Sequence, residues 1–175
     1  TYLGDGVLCN PTNPTVFTAS PSVSIPDEDG DPNTPIAVVS STINVANSMT
    51  IGDVNVRVHI PDHTYIQDLV IDLVHGATSV RVWGHGCGGE DGMNATFDDD
   101  GDDVVCVCHL TANIKPAGTG TGLLSAFDGM DAQGDWELRV YDEYAGDAGT
   151  LMDWELSIGA PGDPCGAQPG CPQAG

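Results

Sequence analysis

The residues of this chain best suited to chemistry are its carboxylates. Twenty-six Asp and Glu stand against four Lys and Arg, a formal net charge of −22 over 175 residues. They are unevenly placed. Asp27, Asp29 and Asp31 take alternate positions in DEDGDPN, and Asp98, Asp99, Asp100, Asp102 and Asp103 crowd into TFDDDGDD. Carboxylates this dense repel one another unless water separates them or a hard cation neutralises them, and calcium accepts roughly six to eight oxygens from irregular loops. Alternating Asp is common in calcium loops, although Gly30 falls outside the EF-hand position and no Glu stands at the twelfth place. The plainer use of such a surface is solubility in a saline habitat. Nucleic acid and anionic membrane are excluded as partners, since both reward cationic protein.

Six cysteines in a Gly- and Pro-rich chain point to an oxidising, secreted or extracellular setting. Cys106 and Cys108 lie too close along one strand to pair comfortably with each other. Cys87 with either of them would staple the loop between. Cys9, Cys165 and Cys171 lie in the two tails, and a bond from one of them to the body, or to each other, would hold a tail in place. His85, Cys87, Cys106, Cys108 and His109 are also potential zinc ligands, yet Cys-x-Cys-His lacks the ligand spacing of structural zinc sites. No Gly-x-Ser-x-Gly, His-Glu-x-x-His or subtilisin serine motif is found. Paired carboxylates such as Asp98 and Asp131 would need an aromatic-lined cleft to cleave sugars, and the aromatic residues sit mostly in strand patterns. A protein without catalytic residues is expected.

The elements that must position these groups are strands. Val54, Val56, Val58 and Ile60 alternate with Asn55, Arg57 and His59; Leu69, Ile71 and Leu73 follow, then Val80 and Val82 up to Trp83. Trp136, Leu138 and Val140 alternate in the same way with Glu137, Arg139 and Tyr141. Further strands are predicted from Val104, over 123–127, and over 151–158. Turn residues separate all of them, and no run of about 18 apolar residues could span a bilayer. The pattern predicts an all-β sandwich. Residues 1–24 read as an irregular arm with Pro11, Pro14 and Pro21 and one alternating stretch, 16–19. Such an arm is a linker from a preceding domain or a strand lent to a neighbouring subunit. Residues 160–175 read as a Gly/Pro/Cys tail. The chain begins at Thr1 without a signal peptide, so a processed or excised piece is expected.

Two stretches carry a resemblance. HTYIQDLVIDL, with its following turn and valine strand, and FDGMDAQGDWELRVYDEYAGDAGTLMDWELSI resemble the P domain (P/Homo B domain) found beside subtilisin-like proprotein convertases. The second contains Gly-x-Trp-x-Leu-x-Val-x-Asp and Gly-Thr-Leu-x-x-Trp-x-Leu, and Ile25-Pro26-Asp27 matches the opening segment. The likeness spans 25–159. It implies a jelly-roll β-sandwich of about eight or nine mostly antiparallel strands. It also implies an accessory or interaction domain beside the catalytic domain of a secreted protease. His63, in His-x-x-x-x-Asp-Leu, would be a structural histidine at a strand end.

If every strand crosses the sandwich once, loops 27–38, 61–68, 84–103 and 128–135 share one end, and 46–52, 75–78, 110–122 and 142–150 the other. The first end would gather Asp62 and Glu90 with the expected calcium ligands Asp27, Asp29, Asp68, Asp91, Asp98, Asp99 and Asp131. Asp68 has a plainer role as the cap of the turn before its strand. The expected function is a calcium-stabilised, non-catalytic extracellular module beside a protease domain or another extracellular protein. Two alternatives stand next to it. One is a self-associating, homo-oligomeric subunit whose arm docks on a neighbour. The other is a carbohydrate-binding module, which requires a row of exposed Trp or Tyr, whereas Trp83, Trp136 and Trp154 read as core.

Overall fold

The computed structural model describes residues 14–28, 30–31 and 33–161. Twelve strands run through them in chain order: β1 (Thr15–Ala19), β2 (Val23–Ile25), β3 (Val38–Val45), β4 (Asp53–Ile60), β5 (Leu69–His75), β6 (Thr78–Gly84), β7 (Met93–Asp102), β8 (Asn113–Ile114), β9 (Ala117–Gly118), β10 (Gly134–Asp142), β11 (Gly149–Leu151) and β12 (Asp153–Gly159). They form two five-stranded sheets, ordered β1-β12-β4-β7-β8 and β3-β10-β5-β6-β9, and a short β11-β2 pair. Apart from the short parallel contacts β6·β9 and β7·β8, the pairings are antiparallel. The result is the β-sandwich that alternation predicts.

Alternation also sets the core. Val54, Val56, Val58 and Ile60 of β4 are buried, as are Trp154, Leu156 and Ile158 of β12 and Trp136, Leu138 and Val140 of β10. In β6 both Val82 and Trp83 turn inward. The register shift opposite Ile71 and Asp72 allows this, because a bulge advances the pleat by one residue. All three tryptophans are fully buried, and each indole N–H has an acceptor: Ile66 O at 2.9 Å, Ala132 O at 3.0 Å and Ser41 Oγ at 2.9 Å for Trp83, Trp136 and Trp154. That removes the cost of desolvating a polar tip in the core.

Three segments differ from the expected pattern. The strand expected from Val104 lies earlier, as β7, and 103–109 is an irregular return; Val105 is 71% exposed because no strand edge lies beside it. Residues 124–127 form a 3-10 turn instead of a strand. Leu124 and Phe127 are spaced by three, which a 3-10 turn places on one face, and both are buried. The stretch 151–158 divides at Met152, where Leu151 pairs with β2 and Trp154 with β4. Thr15–Ala19, inside the segment expected to be an arm, adds to β12 of its own sandwich.

Candidate cation site

The irregular return at 103–109 crosses the sandwich without being a strand. Loops 128–135 and 142–150 therefore change ends. Loop 128–135 meets 46–52 through the Thr50–Asp131 bridge and Ile51 N–H donating to Met130 O at 2.9 Å. Loop 142–150 joins 61–68, since Glu143 N–H donates to Asp68 O at 3.0 Å and Thr150 N–H to the Asp62 carboxylate at 2.7 Å. This corrects the grouping that single crossings predict. Asp27, Asp62, Asp68, Glu90 and Asp91 share the first end with Asp142 and Asp147, while Asp98, Asp99 and Asp131 lie at the other with Asp53 and Asp128. Asp29 lies outside the described residues.

At the far end the carboxylates have protein partners. Asp99 caps the 3-10 turn, accepting from the Leu124 and Ser125 N–H groups at 2.8 Å each. Asp98 accepts from Asp100 N–H at 2.8 Å and the Asn113 amide at 3.2 Å. Asp131 accepts from the Gln133 and Met49 N–H groups and the Ser48 hydroxyl, and these donors hold its carboxyl below the ordinary range. Asp53 is pushed up, by burial first and then by Asp98, Asp128, Asp100 and Asp99. Asp98, Asp99 and Asp131 thus serve turns and a cap, while Asp53 and Asp128 are pushed up by burial and by their acidic neighbours.

The first end is different. Asp68 closes a 3-10 turn, Ile66–Asp68, directly before β5, and is only 7% exposed. Its backbone is bonded, but no donor reaches its carboxylate among the described residues. Burial pushes this carboxyl above its ordinary range and Asp142 and Asp147 push it further, against His63 and His85. Asp142 is 1% exposed and is also raised, chiefly by burial. Tyr144 N–H donates to it at 3.3 Å and His63 Nε2 lies 3.2 Å from it. Nδ1 of His63 accepts from Tyr65 N–H at 3.4 Å, so the ring proton sits on Nε2 and points at Asp142. His63 is thus a fully buried structural histidine, as the resemblance implies. Thr64 donates its hydroxyl to Asp147, and Gly146 N–H donates to Asp27 at 2.9 Å.

Asp68, Asp142, Asp147 and Asp27 therefore surround one end of β5 and β10 with too few donors for their charge. Among the described residues no three His, Cys, Asp or Glu side chains are grouped to hold an ion by themselves. Asp142 and Asp147 were missing from the expected ligands, although Asp142 is the last residue of Gly-x-Trp-x-Leu-x-Val-x-Asp and Asp147 lies in the adjoining GDAGTL. The Asp91 backbone carbonyl accepts from His109 N–H at 2.8 Å, and Glu90 turns its carboxylate to Gly88 N–H at 2.6 Å.

Cys87 pairs with Cys106, with a Cα–Cα distance of 5.3 Å, and Cys108 is exposed and free. His85 faces Gln67 O and Glu143, so the potential zinc donors are not gathered. Cys9, Cys165 and Cys171 lie outside the described residues. Every tryptophan is buried and contributes nothing to the exposed row a carbohydrate-binding face requires, while Tyr65 and Tyr144 are exposed. No helix among the described residues is long and apolar enough to cross a membrane.

Residues 51–158 match the family described as proprotein convertase P-domain. Over 143 residues the chain is 30% identical to the transglutaminase-activating metalloprotease of Streptomyces mobaraensis, across 82% of this chain and 15% of that protein. Its fold is similar to that of the Aeromonas sobria serine protease solved in complex with a chaperone, with a TM-score of 0.51 at 18% identity over 83% of this chain and 26% of that one. The chain thus spans a small part of each protein it resembles. The family match covers more than half the chain, from the turn before β4 through β12, and takes in the Asp68 and Asp142 strand ends: this protein belongs to the proprotein convertase P-domain family.

Proposed function

We propose that this chain is a non-catalytic, calcium-stabilised accessory module of a secreted protease, acting on an adjacent catalytic domain outside the cell. Family membership supports the accessory role, and so does the small share of the metalloprotease that the chain spans. The cation rests on one observation: Asp68, only 7% exposed as a residue, has no protein donor to its carboxylate among the described residues, and its oxygens keep contact with solvent beside two further carboxylates. Desolvating an ionised group even in part without a partner is costly, and a divalent cation reaching it from solvent would remove both the unmet charge and the mutual repulsion. Asp68, Asp142 and Asp147 would hold it, with Asp27 and backbone carbonyls supplying further oxygens. Calcium suits irregular oxygen-rich loops better than magnesium, which demands near-octahedral geometry and keeps its water. Binding to the folded state alone would stabilise the module by mass action, and a stabilised module would brace its neighbour. Deleting residues 25–159 from the parent protease tests the role. The expected result is a shorter inactivation half-life in calcium, with catalysis by freshly folded enzyme retained. An unchanged half-life would refute it.

A further inference from the structure

The sandwich handles its four sheet edges unequally. On one side the sheets end in β8 and β9, two residues each, short enough to offer no template for pairing. On the other side they end in β1 and β3, of five and eight residues, which contact each other across the sandwich. Neither is blunted by the usual devices. TVFTA and VVSSTINV contain no charge and no proline, and no bulge breaks either pairing. Pro32 to Gly52 is a run without any charged residue in a chain that carries 26 acidic ones. In β3 the outward residues Val38, Ser40, Thr42 and Asn44 are exposed, while Val39, Ile43 and Val45 hold it to the core. Beside it on β10 Arg139 donates to Glu137 at 2.6 Å, which leaves one carboxylate, that of Asp135, next to the strand, where it accepts from the Asn44 amide at 2.6 Å. Every second backbone amide and carbonyl of β3 faces away from β10, and none of them has a backbone partner among the described residues.

We infer that the β3 edge is a docking edge for a second copy of this chain, pairing antiparallel with the partner's own β3 about a two-fold axis. Charge selects the occupant. A cationic segment would be drawn to the densely acidic ends of the sandwich rather than to an edge with the single carboxylate of Asp135 beside it, and an acidic one gains nothing here. What fits is a long, uncharged, extended strand, and β3 is such a strand; two-fold antiparallel pairing is self-complementary. The rest of the surface opposes association, since two chains of −22 repel at a distance. The dimer is therefore weak, consistent with one strand pair burying less than the roughly 1,000 Å² of a stable interface, and it strengthens as salt screens that repulsion. The inference does not depend on the calcium reading.

Sedimentation velocity on the 175-residue chain, from micromolar to millimolar protein in low and in half-molar salt, tests it with the double variant Ser40→Lys/Thr42→Lys. Both side chains are exposed, so the variant should melt with the parent chain. The expected result is a concentration-dependent dimer, tighter in high salt, and weakened at least about tenfold in the variant, where like charges meet across the strands. A parent chain that stays monomeric throughout, or a dimer the variant leaves unchanged, overturns the inference. If the variant unfolds, the single substitution Thr42→Lys is the substitute, read in the same way.

Discussion

Replacing Asp68 with Asn should make the calcium-free protein more stable. The substitution keeps the shape of a side chain that is 7% exposed and lacks a donor, while removing its charge. Burial and the neighbouring Asp142 and Asp147 all act against the ionised form, so the folded state gains when that form is abolished. The amide remains polar, so what the folded state gains is relief from like-charge repulsion at a site solvent still reaches, about 1 kcal/mol, read as roughly 2–4 °C in Tm for a chain of this length. Thermal melts followed by tryptophan fluorescence in EDTA would measure it. In millimolar calcium the order should reverse, because only the parent chain retains the ligand. Asp99→Asn is the control: it weakens the cap on Leu124 and Ser125, at about 1 kcal/mol with or without calcium. If Asp68→Asn lowers the melting temperature in EDTA, the carboxylate is satisfied in the apo protein and the cation reading loses its basis.

Trp136→Ala should cost roughly 3–5 kcal/mol, since the indole is fully buried, stacked on His75 at 4.2 Å and packed on Phe127; an unchanged chemical denaturation midpoint would contradict the packing. Calcium-free stability should peak in mild acid. Asp68, Asp142 and Asp53 have raised folded values, so stability grows as pH falls from neutral into that raised range, and the gain ends near the ordinary 3.8. Asp131 and Asp153 are lowered, so their stabilisation holds above 3.8 and is lost as pH falls through their depressed values. A monotonic loss from neutral pH downward in EDTA would refute the assignment. Reducing Cys87–Cys106, which closes a loop of 19 residues, should cost about 3 kcal/mol, seen as a lower denaturation midpoint in reductant.

The fold was legible because alternation and burial agree along β4, β10 and β12, where every second residue is apolar and every apolar one is inside. Legibility failed where alternation has no partner edge. Val105 and Val107 sit in VVCVC like strand residues, yet both are exposed, and pattern alone does not show whether a neighbouring strand is present. Strands expected from Val104 and over 123–127 place Asp98, Asp99 and Asp131 at the wrong end and keep Asp142 and Asp147 apart from Asp68. A similar limit applies to the disulfide: Cys106 and Cys108 stand two residues apart, so spacing from Cys87 does not choose between them. The carboxylates at the far end also look alike in sequence, and what separates them from Asp68 is the presence of donors. Asp99 has two backbone N–H groups and Asp131 a turn around it, and those donors come from segments far along the chain.

The most direct test of the central claim is a calorimetric titration of calcium into the EDTA-stripped chain at low ionic strength. The account predicts a saturable binding event that vanishes in the Asp68→Asn variant and persists in Asp99→Asn. No heat beyond dilution, or equal binding in the two variants, would contradict it.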